Sequence, residues 1–332
     1  MIERDNGMSF FIGTHSVFRR SYLIDKYMNI RNAIKHPNML LAAIWARIGG
    51  KMPDDVYLKG RYRFIFGEKL DLVNPRGFNE KINWLKIFNR NPLYPHLVDK
   101  SEVKDYVAPI IGKEKIIPTY GVWNSFNEID FDKLPEKFVL KSTNGGGGTG
   151  VVICKDKASF NRELAKEKLE KSMHFNWKYE REWVYRDIKP RIIAEKYMFN
   201  EDGSDLVDWK IFCFNGEPKI LFYASDRYTK DEPLKFDWYD MDLKHLPIRS
   251  KGIPNANKEI PLFPEWEEMK ETARQLSQGF PHVRVDLYLI NHKVYFGELT
   301  FFHDGGVVAL EPEEWEYTLG SWINLPDKIV EK

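Results

Sequence analysis

A lysine stands shortly before a run of glycines, between two stretches rich in β-branched and aromatic residues. Lys141 belongs to the first stretch, and the run consists of Gly145, Gly146, Gly147 and Gly148. Glycines let backbone N–H groups close around an anion, and a lysine on the strand before the loop can reach phosphate oxygens. The segment therefore predicts a phosphate-binding hairpin loop, with an ordinary hairpin turn as the alternative. It is not a Walker loop, because no Gly-Lys-Ser/Thr follows the glycines.

A second group of polar side chains lies in two apolar stretches near the end of the chain. Arg284 and Asp286 share one stretch, and Glu298 and Thr300 share the next. Period-two alternation sends each pair to one face of its strand, and a turn at 291–292 can bring both pairs to the same face. Magnesium would satisfy both acids, and the arginine would hold a phosphoryl group. A cross-strand salt bridge explains the same pattern, because unpaired buried charge is costly.

Two further segments carry candidate ligand-binding residues. Asp208 and Lys210 begin an apolar stretch on one face, where the acid could bind ribose hydroxyls and the base could contact phosphate; a solvated strand edge is the alternative. Another apolar stretch ends in Glu195, Lys196, Tyr197 and Met198. Such an end suits an adenine-binding connection, in which backbone groups recognise the base edge and apolar side chains enclose it. The alternative is a strand that ends in water.

Composition narrows the class of protein. The chain has 332 residues, of which 43% are hydrophobic and 30% charged, as in an ordinary globular protein of one large or two smaller domains. A net charge of +1 offers no global reason to expect nucleic acid as a partner. The two cysteines, Cys154 and Cys213, stand in apolar stretches and are expected to be buried thiols of a reducing compartment. We expect a cytoplasmic protein without a transmembrane segment, with contact at the inner face of the membrane as a weaker alternative.

The patterns predict a mixture of helices and antiparallel strands, so an α+β or mixed α/β fold is favoured. Helical spacing is expected over residues 1–70, 78–88, 99–107, 159–171 and 266–278. Strands are expected on both sides of the glycines and over residues 191–198, 209–215, 218–224, 283–290 and 293–301. Turns are expected at Gly216 and at Asn291-His292.

The order of these segments resembles the ATP-grasp superfamily. More closely, three groups of residues are similar to its teichuronopeptide-biosynthesis, or TupA-like, branch: Phe78-Asn79-Glu80-Lys81 with Trp84-Leu85; the run from Asp208 to Gly216; and Glu313-Glu314-Trp315 with Leu319-Gly320. The resemblance covers roughly residues 75 to 326. It implies an ATP-grasp fold, in which two antiparallel-sheet α+β subdomains clamp ATP, with a mainly helical N-terminal region.

The resemblance also implies domain boundaries. Residues 1–75 would be the helical N-terminal region, and 76–125 a pre-ATP-grasp or linking segment. Residues 126–200 would form the small subdomain with the glycine-rich lid, and 201–332 the large subdomain with the metal site.

By motif position, the resemblance assigns roles on the nucleotide side. Lys141 matches the phosphate-binding lysine, and the four glycines match the lid over the triphosphate. Residues 195–198 match the adenine connection. Asp208 matches the ribose-binding acid, and Lys210 matches a phosphate-contacting base with a catalytic role.

It assigns roles on the metal side as well. Arg284 matches the catalytic arginine at the γ-phosphate, and Asp286 with Glu298 match the magnesium ligands. Thr300 stands where many relatives carry asparagine, and is the third candidate ligand.

What the resemblance implies is an ATP-dependent carboxylate–amine ligase that uses ATP and Mg²⁺ and forms an amide through an acyl phosphate. The expected partners are a carboxylate-bearing glycan or glycan precursor of a surface polysaccharide or capsule, such as a uronic acid, and an amine or amino acid. Nucleic acid is not an expected partner.

Two rival functions remain. Asp240-Met241-Asp242 spells Asp-x-Asp, a metal and nucleotide-sugar signature of many glycosyltransferases, although the pattern also arises by chance. A non-catalytic nucleotide-binding protein would explain Thr300. The spacing of His282, His292 and His303 fits no zinc pattern. His303 follows the expected metal strand, where it would border the acceptor pocket or belong to a structural loop.

Overall fold

The structure is a computed structural model that describes residues 37–145, 150–174, 177–225 and 235–329. These residues divide into two compact units. The first unit holds the described residues of 117–174 together with 189–198. The second unit holds 37–116, 177–188, 199–225 and 235–329.

The described α-helices have the following bounds: α1 Pro37–Ile48, α2 Asp54–Phe66, α3 Phe78–Phe88, α4 Tyr94–Val98, α5 Val103–Ile111, α6 Arg162–Met173, α7 Trp266–Ser277 and α8 Glu314–Ser321. None of them is long and apolar enough to cross a membrane. The strands are β1 Thr119–Trp123, β2 Phe138–Ser142, β3 Val151–Cys154, β4 Ile192–Lys196, β5 Asp208–Phe214, β6 Glu217–Ser225, β7 Lys235–Tyr239, β8 His245–Leu246, β9 Arg249–Ser250, β10 His282–Ile290, β11 Lys293–Thr300 and β12 Leu310–Glu311.

The first unit is an antiparallel sheet covered by one helix. Its strands follow the order β1-β4-β2-β3. Asn161 is the N-cap of helix α6. Its side chain accepts the Leu164 N–H at 3.0 Å and so satisfies one free donor of the first turn. A small core forms between helix and sheet, with Phe138 and Leu169 fully buried. The hairpin expected around the glycines is therefore present as β2 and β3.

The second unit is built on a larger antiparallel sheet of order β11-β10-β5-β6-β7-β8. Helix α7 covers one face, where the Cys213 thiol lies 3.7 Å from the Ala273 carbonyl. Helix α3 covers the other face, where the Phe78 ring packs against Phe212 and Phe214. A sheet covered on both sides must be apolar on both sides, so the charged residues of β5 and β10 need internal partners.

The hairpin of β10 and β11 forms as the sequence predicts. Asn291 and His292 both have positive φ, 48° and 61°, as the turn that matches strand twist requires. The register places Asp286 opposite Glu298 and Arg284 opposite Thr300. This register includes a shift of one residue between Asp286 and Leu287, where Gly297 is the extra residue of β11. The shift brings all four side chains to one face, because the two-residue turn alone would place Gly297 opposite Asp286 and turn Glu298 and Thr300 away.

Some boundaries differ from the expectation. Helix α5 starts at Val103 rather than Asp99, because the Asp99 carboxylate accepts the backbone N–H groups of Ser101 and Glu102 and so precedes the helix. Strand β4 ends at Lys196, which leaves Tyr197 and Met198 beyond it. Residues 1–36 and Gly146, Gly147 and Gly148 lie outside the described residues.

Helix α3 begins against helix α8. Glu80 accepts the backbone N–H groups of Arg76 and Gly77 at 2.8 and 3.0 Å, and Glu316 accepts the Asn79 N–H at 2.6 Å. These carboxylates satisfy donors that the first helical turn leaves free, and they stand at the positive end of the helix dipole. Gly320 allows the close approach, since a Cβ there would lie 2.1 Å from the Arg76 carbonyl oxygen. Two of the sequence motifs thus form one helix–helix contact.

Burial, assisted by the nearby charges of Glu80 and Glu68 and opposed by the bonds from Asn79, raises the pKa of Glu316 from 4.5 to about 7. Between those two values the folded protein keeps a proton that the unfolded chain has released. The stability that this group contributes is therefore greatest below pH 4.5, falls as the pH rises from 4.5 to about 7, and then levels off.

We predict that Glu316→Gln removes this loss of stability with rising pH, because the amide does not ionise. Urea unfolding at pH 5 and pH 8 measures the difference in the free energy of unfolding for each variant. Glu314→Gln, at an exposed position of the same helix, is the control and should behave as the unmutated protein. Equal pH dependence in the Glu316→Gln and unmutated proteins would contradict the prediction.

Candidate active site

A buried set of alternating charges crosses the face of the larger sheet that α3 covers. The Asp286 carboxylate receives two bonds from Arg284, from Nε at 2.6 Å and from Nη2 at 2.7 Å. It also receives the Lys210 ammonium at 2.5 Å. Lys210 in turn contacts Asp208 at 2.7 Å. The sequence predicted that Arg284 and Asp286 share one face of their strand and that Asp208 and Lys210 share one face of theirs. The register of β5 and β10, which pairs Asp286 with Lys210, brings the two pairs into contact.

Burial makes this arrangement sensitive to the loss of any member. The side chain of Asp286 has no exposed surface, and those of Lys210 and Arg284 are nearly as deeply buried. Burial disfavours the charge on Arg284, but the adjoining Asp286 more than compensates, and the net effect raises the pKa of the guanidinium above its usual value. Arg284 therefore remains a cation in the interior.

Glu298 lies at the accessible edge of this set. Its side chain is 27% exposed and its oxygen stands 3.4 Å from Arg284 Nη2. Burial and the like charge of Asp286 raise its pKa, whereas Lys100, Lys210 and Arg284 oppose the rise. Lys100 was missed by sequence reasoning, because it precedes helix α5 in a segment with no strand or loop signature. Two facing carboxylates of this kind favour the approach of a cation.

The candidate magnesium ligands are two carboxylates and a hydroxyl, which differ in how open they are to a metal ion carried by a substrate. Within residues 37–145, 150–174, 177–225 and 235–329, no group of three or more His, Cys, Asp or Glu side chains could hold a metal by itself. Magnesium, however, is usually bound by one or two carboxylates together with phosphate oxygens and water. Of the two carboxylates that the sequence names, Glu298 is accessible, whereas both oxygens of the buried Asp286 already accept bonds from Arg284 or Lys210. Thr300 adds a hydroxyl, which accepts a bond from Arg284 Nη2 at 3.0 Å.

His303 completes the surroundings of the arginine. Arg284 Nη1 donates to His303 Nδ1 at 3.0 Å, so the ring proton is on Nε2. Burial lowers the pKa of His303 to about 4, and the charge of Arg284 acts in the same direction. The imidazole is therefore neutral at pH 7. The contact with the catalytic-arginine candidate is one that the sequence did not predict for His303.

Of the candidates on the nucleotide side that are described, Lys141, Gly145 and residues 195–198 belong to the first unit, and Asp208 and Lys210 belong to the second. Lys141 and Glu195, on neighbouring strands, form an ion pair with Nζ and Oε2 at 2.6 Å, and Lys141 keeps 20% of its side chain exposed. Lys196 is exposed, whereas Tyr197 and Met198 are half-buried. The ammonium of Lys155 stands 6.0 Å from the Tyr197 ring centre.

The ends of the glycine-rich loop are anchored by a pair of serines. Ser142 and Ser172 share a hydrogen bond of 2.7 Å. A Cβ on Gly145 would lie 2.7 Å from Ser142 Oγ, and one on Gly150 would lie 2.1 Å from Ser172 Oγ. Glycine is therefore required at both ends by lack of space.

The remaining polar motifs have structural partners. The Asp240 carboxylate accepts the backbone N–H groups of Asp242 and Lys244, both at 2.9 Å, and so stabilises the turn between β7 and β8. His282 donates through Nδ1 to the Cys213 carbonyl, and His292 contacts Glu265 at 2.7 Å. Of the three histidines that the sequence singled out, His282 and His303 both pack against the Phe212 ring, whereas His292 lies at the exposed turn between β10 and β11.

We predict that Asp286→Asn and Glu298→Gln differ sharply in stability. Asp286→Asn leaves Arg284 and Lys210 as buried charges without their main partner, which should cost roughly 3–5 kcal/mol. Glu298→Gln removes a partly exposed charge with one long contact, so the loss should stay below about 1 kcal/mol. Urea unfolding at pH 7, followed by tryptophan fluorescence, measures both. An equal loss in the free energy of unfolding for the two variants would contradict the assignment of Asp286 as the main partner of the two buried cations.

Comparison with known proteins gives one family match. The sequence profile of the TupA-like ATPgrasp family matches residues 80–324. A search of the curated proteins found no match.

Several solved structures are similar at low identity. D-alanine–D-alanine ligase from Helicobacter pylori is 14% identical with a TM-score of 0.39, covering 82% of this chain and 69% of that one. The ligase of the same kind from Bacillus anthracis, complexed with ATP, is 14% identical with a TM-score of 0.36, and the match covers 62% of this chain and 55% of that one. D-cycloserine synthetase DcsG is 14% identical with a TM-score of 0.39, and the match covers 69% of this chain and 71% of that one. The chain thus spans little more than half of the Bacillus anthracis ligase.

The family match extends over well more than half of the chain and includes every described strand, from β1 to β12. It contains the strands that carry the Arg284–Asp286–Lys210 network and those that carry the Lys141–Glu195 pair. The α+β architecture agrees with the fold class expected from the sequence. The protein belongs to the TupA-like ATP-grasp family.

Proposed function

We propose that this protein joins a uronic-acid-containing surface polysaccharide, or its precursor, to an amino acid or amine through an acyl phosphate. The buried network of Arg284, Asp286 and Lys210, with Glu298 at its accessible edge, is the observation that carries the proposed chemistry. The glycan and amine partners rest on the resemblance to the teichuronopeptide branch.

In the first step, a carboxylate oxygen of the acceptor attacks the γ-phosphorus of ATP. A new P–O bond forms, the bond to the bridging oxygen breaks, and ADP leaves with that electron pair. In the second step, the amine nitrogen attacks the acyl carbon, phosphate departs, and one proton is released. ATP and the carboxylate thus yield ADP and an acyl phosphate. The acyl phosphate and the amine then yield the amide, phosphate and a proton.

Arg284 suits both steps because its charge is held in place before substrate arrives. Its Nε and Nη2 atoms are engaged by Asp286 and Thr300, and one Nη1 hydrogen by His303. Arg284 Nη1 carries a second hydrogen, which no bond among the described residues uses and which can bind an oxygen of the transferring group. A fixed donor of this kind stabilises developing negative charge without reorganising.

Asp286, Glu298 and Thr300 would hold magnesium, which neutralises charge on the transferred phosphoryl group when it is bound. Lys141 and the loop that starts at Gly145 would contact the triphosphate. Residues 195–198 would enclose the adenine, and Asp208 would bind the ribose. Lys210 would contact phosphate and hold Asp286 in position.

The products of the reaction test this proposal. The protein is incubated with ATP, Mg²⁺, a uronate-containing oligosaccharide and a mixture of amino acids, and we expect ADP and phosphate in equal amounts with the amide. Hydroxylamine in place of the amine should trap the acyl phosphate as a hydroxamate. AMP and pyrophosphate would indicate an adenylate instead, and release of UDP from a UDP-sugar would favour a glycosyltransferase.

We predict that Lys141→Ala lowers ATP turnover by roughly a hundredfold, the usual effect of removing one preorganised electrostatic donor. Lys133→Ala is the matched control, because Lys133 is an exposed lysine of the same unit whose ion pair with Asp130 lies at the surface. Steady-state kinetics of ADP release measure both variants. Turnover by Lys141→Ala that equals that of the control would remove Lys141 from the site.

A further inference from the structure

The loop that carries His303 has a left-handed backbone conformation, and side chains on one side of the loop stabilise it. Asp304, Gly305 and Gly306 all have positive φ, 46°, 61° and 67°. This left-handed conformation is unfavourable for Asp304 and needs support from its surroundings. The support comes from side chains that bond to the carbonyl oxygens of the loop.

Two cations converge on a single carbonyl of the loop. Lys86 of α3 donates to the Gly305 oxygen at 2.7 Å, and Arg61 of α2 reaches the same oxygen at 3.4 Å. Lys86 is completely buried and also donates to the Glu180 carbonyl at 2.9 Å. The Glu180 side chain also contacts this group: one oxygen lies 3.4 Å from Arg61, and the other lies 2.1 Å from the position that a Cβ on Gly305 would take.

Helix α3 continues the support along the loop. Asn83 donates to the Gly306 carbonyl at 2.7 Å. Asn79 bonds to both backbone groups of Val308, at 2.6 and 2.8 Å. Asn79, Asn83 and Lys86 recur at the spacing of one helix face, so one side of α3 binds the whole loop.

The opposite end of the loop touches the catalytic-arginine candidate through the 3.0 Å bond between Arg284 and His303. We propose that Lys86 and Arg61 are positioning residues, which hold the loop 303–308 so that His303 keeps Arg284 aligned for catalysis. This inference rests on the proposed function. It gives a role to helix α2, which lies outside residues 80–324 of the family match.

Lys86→Met and Arg61→Met test the inference, because methionine fills similar space without the bonds to Gly305. Lys81→Met is the control on α3: Lys81 also donates to a carbonyl, that of Ile323 at 2.7 Å, but not to the loop. Arg63→Met, at an exposed position, is the control on α2. The two variants on different helices keep the test valid if one of them does not fold.

The first measurement is independent of activity. Hydrogen exchange followed by mass spectrometry reports protection of the peptide that spans 303–308 in each folded variant. Both test variants should exchange faster there than the unmutated protein, and both controls should not. Unchanged protection in Lys86→Met and Arg61→Met would overturn the inference whether or not the protein is a ligase.

The second measurement is the kinetics of ADP formation. We expect kcat to fall roughly tenfold to a hundredfold with little change in the KM for ATP, since small misplacements of catalytic groups have effects of that size. Combining Lys86→Met with His303→Ala should add little to the loss caused by His303→Ala alone, because both act on Arg284. Additive effects, or a normal kcat in a variant with a loosened loop, would overturn the inference and leave the proposed function standing. A loosened loop in a protein that forms no ADP even when unmutated would instead reject the proposed function.

Discussion

The second unit depends on one buried carboxylate. Asp286 neutralises both Arg284 and Lys210, and it does so with both of its oxygens in a part of the sheet that water does not reach. Each cation would be costly to bury alone, and the pairing is favourable only with short, well-directed bonds. The register of three neighbouring strands is therefore tied to the chemistry, because a slip by one residue would turn these side chains to the opposite face.

The same principle operates in the first unit on a smaller scale. Lys141 is paired with Glu195 before any phosphate is present, as Lys210 is paired with Asp286. A cation held in this way loses less conformational freedom when an anion arrives, because the cost of ordering a long side chain has already been met by folding. The two pairs differ in access: Lys141 is partly exposed, whereas Lys210 is almost completely buried. Lys210 is thus better suited to fix the position of Asp286 than to move with a substrate.

Helix α3 connects the sheet, the loop and the C-terminal helix. Its apolar side packs Phe78 on the sheet, and its first turn receives Glu316 from α8. A third side binds the loop 303–308 through Asn83 and Lys86. The high share of polar residues buried on this short helix is explained by these bonds, since a helix that only filled the core would be apolar on its inner face.

The sequence by itself determined the parts that follow from local periodicity. Alternation was enough to place Arg284 with Asp286, and Glu298 with Thr300, each pair on one face of its strand, and the turn at Asn291 and His292 was enough to form the hairpin. The two pairs share a face only because the register shifts by one residue at Gly297, which no alternating pattern encodes. Helical spacing was enough to place α3 from Phe78 to Phe88. The burial of Cys154 and Cys213 followed from their apolar neighbours.

Only the tertiary structure decided which partners these residues meet. Lys86 bonds to a carbonyl 219 positions away and Arg61 to the same carbonyl 244 positions away, and no local pattern encodes such pairs. The contact of His303 with Arg284 likewise depends on the path of a loop whose backbone is left-handed at three successive residues. Periodicity fixes which face a side chain occupies, whereas the choice of partner across that face is set by the packing of distant segments, and this is the physical reason why the supports of the site were not predicted.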